Sequence, residues 1–196
     1  MTAAQPRLTL SPIGLDIVLA VSQVPHGIRL TDLATVIGSP VSSVQTALRI
    51  LIANSVIRRQ AGASPRYGLA GRHPAREQLV ALATVLPEPE HAIAIILRAN
   101  PSVAFAAADP AGFIMAVDGE PDAETTGRLD RHLELIRETH ERLPAIIRIP
   151  AVEFNRLVAV DLELRRRVDG SVILKGSLPR TPQRTGVLRP AGQERG

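Results

Sequence analysis

The strongest constraint on this chain is the punctuation of its first quarter, where Pro25 and Gly27 interrupt one apolar segment and Gly38-Ser39-Pro40 interrupts the next. Proline lacks an amide proton and locks φ, and glycine admits left-handed backbone, so helices stop at both places. Three short helices are therefore expected. The first, over about 12–24, opens with Ser11 as N-cap and Pro12 at its first position, and Ile13, Ile17, Val18, Leu19 and Val21 suit burial. Thr31 caps the second, whose Leu33, Ala34 and Ile37 face inward until Gly38 ends it. The third covers about 41–54. Its Val44, Leu48 and Leu51 repeat as one buried stripe, while Ser42, Gln45, Thr46 and Arg49 form a polar stripe offset from it. Ser43 lies beside that stripe and is counted with it.

Val56 to Gln60 and Arg66 to Ala70 alternate as two short strands, and Ala61-Gly62-Ala63-Ser64-Pro65 between them is turn chemistry flanked by Arg58, Arg59 and Arg66. The order helix, helix, turn, helix, hairpin, with the apolar pattern from Leu33 to Ile57, resembles winged helix-turn-helix repressors of the arsenic-repressor and multiple-drug-resistance kind. Ser55 stands where such folds usually place glycine, before the first strand of the wing. The resemblance implies that the third helix enters the major groove of double-stranded DNA, where Gln can pair with adenine and Arg with guanine, while the wing arginines ride beside phosphates. Ser42, Ser43, Gln45, Thr46, Arg49, Arg58, Arg59 and Arg66 are the candidate DNA-binding residues. An ordinary solvated helix face and solvated hairpin charges are the plainer readings of the same residues.

Charge supports a division. Residues 1–72 carry seven Arg against Asp16 and Asp32, a net +5, residues 73–144 carry six Arg against twelve acids, a net −6, and residues 145–196 return to +5. A basic head followed by an acidic middle fits a DNA-binding domain joined to something else. Tyr67, Phe105, Phe113 and Phe154 are the only aromatic residues, which leaves little ring surface for stacking on unpaired bases and argues against a single-strand binder. Cysteine is absent, so disulfides, thiolate metal sites and cysteine nucleophiles are excluded. The sequence shows no basic-then-apolar leader and no apolar run of roughly 18 residues, so a cytoplasmic, non-membrane protein is expected.

The expected organisation is a DNA-binding domain over 1–72, a linker helix within 73–89, a second domain over 90–178 and a disordered basic tail over 179–196. Pro87 and Pro89 mark the boundary, with a helix over about 89–99. Val103 to Ala108 and Gly112 to Val117 read as buried strands. A long helix over about 122–142, a strand from Ile146 to Ile149, a helix over 151–167 and a strand from Val172 to Lys175 follow.

That succession, with Arg142 to Pro144, Pro150 to Phe154 and Val172 to Gly176 at its back, resembles the minimal nucleotidyltransferase domain of the polymerase-beta superfamily. The fold class implied is α+β: a winged helix-turn-helix followed by a small α/β nucleotidyltransferase-like domain with a mixed sheet. The family's chemistry needs a Gly-Ser pair after the first strand and two aspartates on alternate positions of the next, able to share metal ions. Here Ala106 and Ala107 follow Phe105, Ala111 and Phe113 take the aspartate places, and Arg148 is the only polar side chain on the Ile146 to Ile149 strand. The domain therefore reads as a non-catalytic relative, without cofactor or metal.

Asp118, Glu120 and Asp122 are spaced by two, but Gly119 and Pro121 put them in a loop. His132 and His140 share one helix face yet lack a third ligand for zinc and read as solvated or partner-facing. Arg165, Arg166 and Arg167 close a helix at its negative end, which dipole complementation explains, with DNA or partner contact as the other reading. The expected function is a sequence-specific transcriptional regulator acting as a homodimer on a short inverted repeat. The alternative is an antitoxin-like or plasmid-maintenance protein whose second domain binds a protein partner while the first regulates its own promoter.

Overall fold

The computed structural model of the chain describes residues 10–118, 123–141 and 143–177, so the tail over 179–196 and the Glu120 and Asp122 pair lie outside the described residues. The class is α+β with a mixed sheet. The first part runs α1 (Pro12–Ser22), β1 (Ile28–Arg29), α2 (Leu30–Ile37), α3 (Val41–Ala53), β2 (Ile57–Gln60) and β3 (Arg66–Leu69). Ser11 caps α1 as expected, its Oγ accepting from the Gly14 amide at 3.1 Å. Gly38, at φ 72°, terminates α2 by donating its N–H to the Ala34 carbonyl at 2.9 Å. The α2 and α3 axes are turned by 109° about that break.

Two local expectations give way to longer-range forces. Thr31 does not cap α2: Ile28 and Arg29 pair with Tyr67 and Arg66, so the chain passes from strand into helix at Leu30 with Arg29 at the cap position. The missing signal is a partner nearly forty residues away. At the α3–β2 corner Ser55 adopts φ 59°, the one positive φ among described non-glycine residues. The corner thus needs the left-handed backbone that glycine would supply, and serine bears a strain of roughly 1–2 kcal/mol there.

The second part runs α4 (Arg76–Val85), α5 (Pro89–Ala99), β4 (Val103–Asp109), β5 (Gly112–Val117), α6 (Ala123–Thr139), β6 (Ala145–Pro150), α7 (Ala151–Val160), α8 (Leu162–Asp169) and β7 (Val172–Lys175). The helix expected over 151–167 is two helices. Asp161 sits between them in extended backbone and accepts from the Glu163 and Leu164 amides at 3.0 Å, the action of an N-cap. Apolar periodicity carries across Asp161, but its short carboxylate competes for the backbone and starts a new helix.

The four-stranded sheet has the order β6-β5-β4-β7, with β5·β6 parallel and the other pairs antiparallel. Strand alternation sends Phe105, Ala107, Ile114 and Ala116 to one face, where Phe154, Val158, Leu164 and Val168 of α7 and α8 cover them. The Phe105 and Phe154 rings lie 4.6 Å apart at the centre of that layer. Ala106, Phe113, Met115 and Val117 face the other way, against α5 and α6. Covering both faces explains why all six β5 residues are buried. Gly112 begins β5 so close to β6 that a Cβ there would lie 2.0 Å from the Ala145 carbonyl oxygen.

The apolar cluster on the α5 side continues without interruption into α1, α2 and α3. Helix α5 is buried along most of its surface through Ala92, Ile93, Ile95, Ile96 and Leu97, leaving Glu90 and His91 exposed and Ala94 and Arg98 half-buried along one stripe. Leu79 and Ala83 of α4 are buried in the same cluster. No single described helix is long and apolar enough to cross a membrane.

Candidate nucleic-acid interface

On α3, the buried stripe is Val44, Ala47, Leu48 and Leu51, and it holds the helix against α1 and α2. Ser42, Gln45, Thr46 and Arg49 are exposed on the other side, and Ser43 is half-buried at the edge. Two features modify that stripe. Thr46 Oγ1 donates to the Ser42 carbonyl at 3.0 Å, leaving its oxygen as an acceptor only. Val41, 43% exposed, lies one turn before Gln45 and adds methyl groups to the stripe.

In the three-stranded sheet, order β1-β3-β2, register places Arg29 opposite Arg66, Gln60 opposite Arg66, Arg59 opposite Tyr67 and Arg58 opposite Gly68. Residues directly opposite, and alternate residues along a strand, share a face. Arg29, Arg58 and Arg66 therefore share one face, with Gln60, while Arg59 lies at the exposed end of the face that buries Ile28 and Ile57. Arg66 is partly engaged, its Nη1 donating to the Gly27 carbonyl at 2.9 Å to hold the entry to β1. Arg29 is the residue that reading the sequence misses, because a two-residue strand carries no periodicity of its own.

Among the described residues Arg29, Arg49, Arg58, Arg59 and Arg66 make no ion pair. Of the two acids in the first 72 residues, Asp16 is buried and bonds His91 Nε2 at 2.9 Å, which leaves Asp32 exposed. Burial raises the Asp16 pKa above the usual carboxylate value, against the lowering effect of His91.

A buried polar seam ties this region to the second part. Asn100, fully buried, donates through Nδ2 to Gln23 Oε1 at 3.1 Å and to the Thr125 carbonyl at 3.2 Å, while its Oδ1 accepts from Ser102 N and Oγ at 2.9 and 2.6 Å. The Lys175 ammonium donates to the Asn100 carbonyl at 2.5 Å, and burial lowers its pKa to about 8. His132 is buried, with Nδ1 donating to the Arg128 carbonyl at 2.7 Å and Nε2 lying 3.1 Å from Ser22 Oγ. Desolvation holds its pKa below the ordinary value of 6.5. It is neither solvated nor partner-facing, and no group of three His, Cys, Asp or Glu suited to a metal occurs among the described residues.

The Arg165–Arg167 run also divides. Arg167 grips Asp109 with Nε on Oδ2 at 2.6 Å and Nη2 on Oδ1 at 3.0 Å, Arg165 pairs with Asp169 at 3.7 Å, and Arg166 stays exposed. Ala106, Ala107 and Phe113 are buried apolar positions of β4 and β5, and Arg148 pairs with Asp130 at 2.7 Å. No protein-family model, curated protein or solved structure matches the chain.

Proposed function

We propose that the chain is a sequence-specific regulator that binds double-stranded DNA through a winged helix-turn-helix formed by α1 to β3, and that it acts in the cytoplasm as a homodimer on a short inverted repeat. The observation that carries this reading is the coincidence of the exposed Ser42–Gln45–Thr46–Arg49 stripe with an adjoining sheet whose arginines have no ion pair among the described residues. The 109° turn between α2 and α3 supports it, since paired DNA-binding helices cross at about 90–120°. Gln45 and Arg49 would read base edges, Val41 would meet a thymine methyl, and Arg29, Arg58 and Arg59 would neutralise phosphates.

The β4-to-β7 region is then a non-catalytic relative of the minimal nucleotidyltransferase, serving dimerisation, sensing or partner binding. Its element order supports the likeness, and the buried Ala106 and Ala107 in place of the Gly-Ser pair, with exposed Ala111 and buried Phe113 where metal-binding carboxylates would stand, support the loss of chemistry.

The test is a binding titration against operator and random duplex at several salt concentrations. Gln45→Ala or Arg49→Ala should lower operator preference by about 1–3 kcal/mol and leave the salt slope nearly unchanged. Arg29→Ala or Arg58→Ala should weaken both duplexes alike and reduce the slope by roughly one ion. Undetectable binding of the wild type at low salt to both random duplex and its own upstream region would reject the reading.

A further inference from the structure

A cleft of about 410 Å³ opens where the two parts of the molecule meet. One wall is α4, the facing wall α6, and Ser22 and Leu69 close the end nearest the three-stranded sheet. Its volume lies within the range of small-molecule sites, roughly 300–1,000 Å³, and its lining combines apolar with cationic residues on both walls. Leu69, Val80, Ala81 and Leu135 supply apolar surface, whereas Arg76, Arg128 and Arg131 supply cationic groups.

The charge accounting in this cleft is uneven. Glu124 is occupied by its ion pair with Arg128, and Arg128 Nη1 also donates to the Ser22 carbonyl at 3.2 Å. Arg131 uses only Nε, on the Gly127 carbonyl at 3.0 Å, which leaves its terminal nitrogens as donors. Arg76 has no ion pair among the described residues. Two guanidiniums with donors to spare thus share the cleft with Glu77 as the one carboxylate not held by an arginine. Guanidinium matches a planar carboxylate in geometry, with two parallel donors for two oxygens.

We propose that this cleft is a binding site for a small organic carboxylate, its anionic end held by Arg131 and Arg76 and its apolar body laid against Val80, Ala81 and Leu135. The mixed lining favours an amphiphilic monoanion over inorganic phosphate, which would leave the apolar residues uncovered. An occupant would touch Leu69 of β3 and helix α6 together, and so would bridge the basic first part and the sheet-bearing second part.

Isothermal titration of the full chain with benzoate, hexanoate and octanoate tests this, with benzylamine and inorganic phosphate as controls. At least one carboxylate should bind saturably while benzylamine and phosphate do not. Arg131→Gln should weaken that binding by roughly tenfold or more through loss of a charge-assisted pair. Ala81→Phe, which fills the space beside the apolar residues, should abolish it, and an unchanged circular dichroism spectrum would establish that this variant is folded. Failure of all three carboxylates at millimolar concentration, equal binding of benzylamine or phosphate, or wild-type affinity in a folded Arg131→Gln chain would overturn the proposal. The titrations contain no DNA, so their outcome and that of the duplex experiment are distinguishable.

Discussion

Two sets of arginines in this molecule meet opposite conditions. Arg29, Arg49, Arg58 and Arg59 are exposed, with one exposed acid in the first 72 residues and no ion pair among the described residues. Arg128, Arg137, Arg148, Arg156, Arg165 and Arg167 each face a carboxylate. Most of those pairs are exposed contacts within one helix and contribute only a few tenths of a kcal/mol, roughly 0.3–0.5 each. Arg167 with Asp109 differs, because the Asp109 side chain is only 6% exposed and both of its oxygens are bonded. A guanidinium enclosed by the chain's own acceptors is an element of the fold. Crowded exposed guanidiniums without counter-charge repel one another, and a polyanion outside the molecule would relieve that repulsion.

The largest expected effect tests whether the two regions behave as one body. Asn100→Leu would orphan Gln23 Oε1 and both Ser102 donors in a buried seam, at roughly 1–3 kcal/mol for each group that relaxation cannot satisfy, about 4 kcal/mol together. Urea denaturation followed by circular dichroism should show one transition at a lower midpoint, because the apolar cluster is continuous from α1 to α6. Two separated transitions would break the comparison by making each region independently stable.

A smaller effect, of about 2 kcal/mol, is expected from Arg167→Ala, which removes both charge-assisted bonds to Asp109. Duplex affinity should be unaltered. Arg58→Ala should reverse the pattern, with stability within about 0.5 kcal/mol of wild type and DNA affinity reduced. Hydrogen bonding to Arg167 holds the Asp109 pKa below its ordinary 3.8. The stability this contributes is therefore fully present above pH 3.8 and is lost as pH falls below it toward the folded-state pKa. Arg167→Ala should flatten that part of the acid limb, and an unchanged limb would show that the pair contributes nothing.

The smallest effect concerns the α3–β2 corner. Ser55→Gly should raise stability by about 1 kcal/mol by relieving the residue's positive φ, net of the added freedom of the unfolded chain. A lowered urea midpoint would show that Ser55 makes up the strain by other means.

The helices of the first region were legible because their signals are local. Ser11 and Pro12 start one helix, Gly38 and Pro40 separate two more, and a spacing of three and four residues places Val44, Leu48 and Leu51 inward. The exposure of Ser42, Gln45, Thr46 and Arg49 follows from that same spacing. Thr31 was misread as a cap because the strand displacing it has its partner at Arg66 and Tyr67, and one long helix was expected across Asp161 because apolar periodicity outweighed a single capping residue.

What the sequence determined by itself is whatever depends on backbone limits and side-chain spacing within about one or two helical turns: breaks, caps, buried stripes and two-faced strands. Tertiary structure alone decided which distant groups share a space. It brought Arg29 opposite Arg66, closed Arg167 on Asp109 across 58 positions, gathered Gln23, Asn100 and Thr125 into one seam, and opened the cleft between α4 and α6. The physical reason is that such contacts form only when the energy of the whole packed core offsets the entropy of closing long loops, and no local window contains that balance.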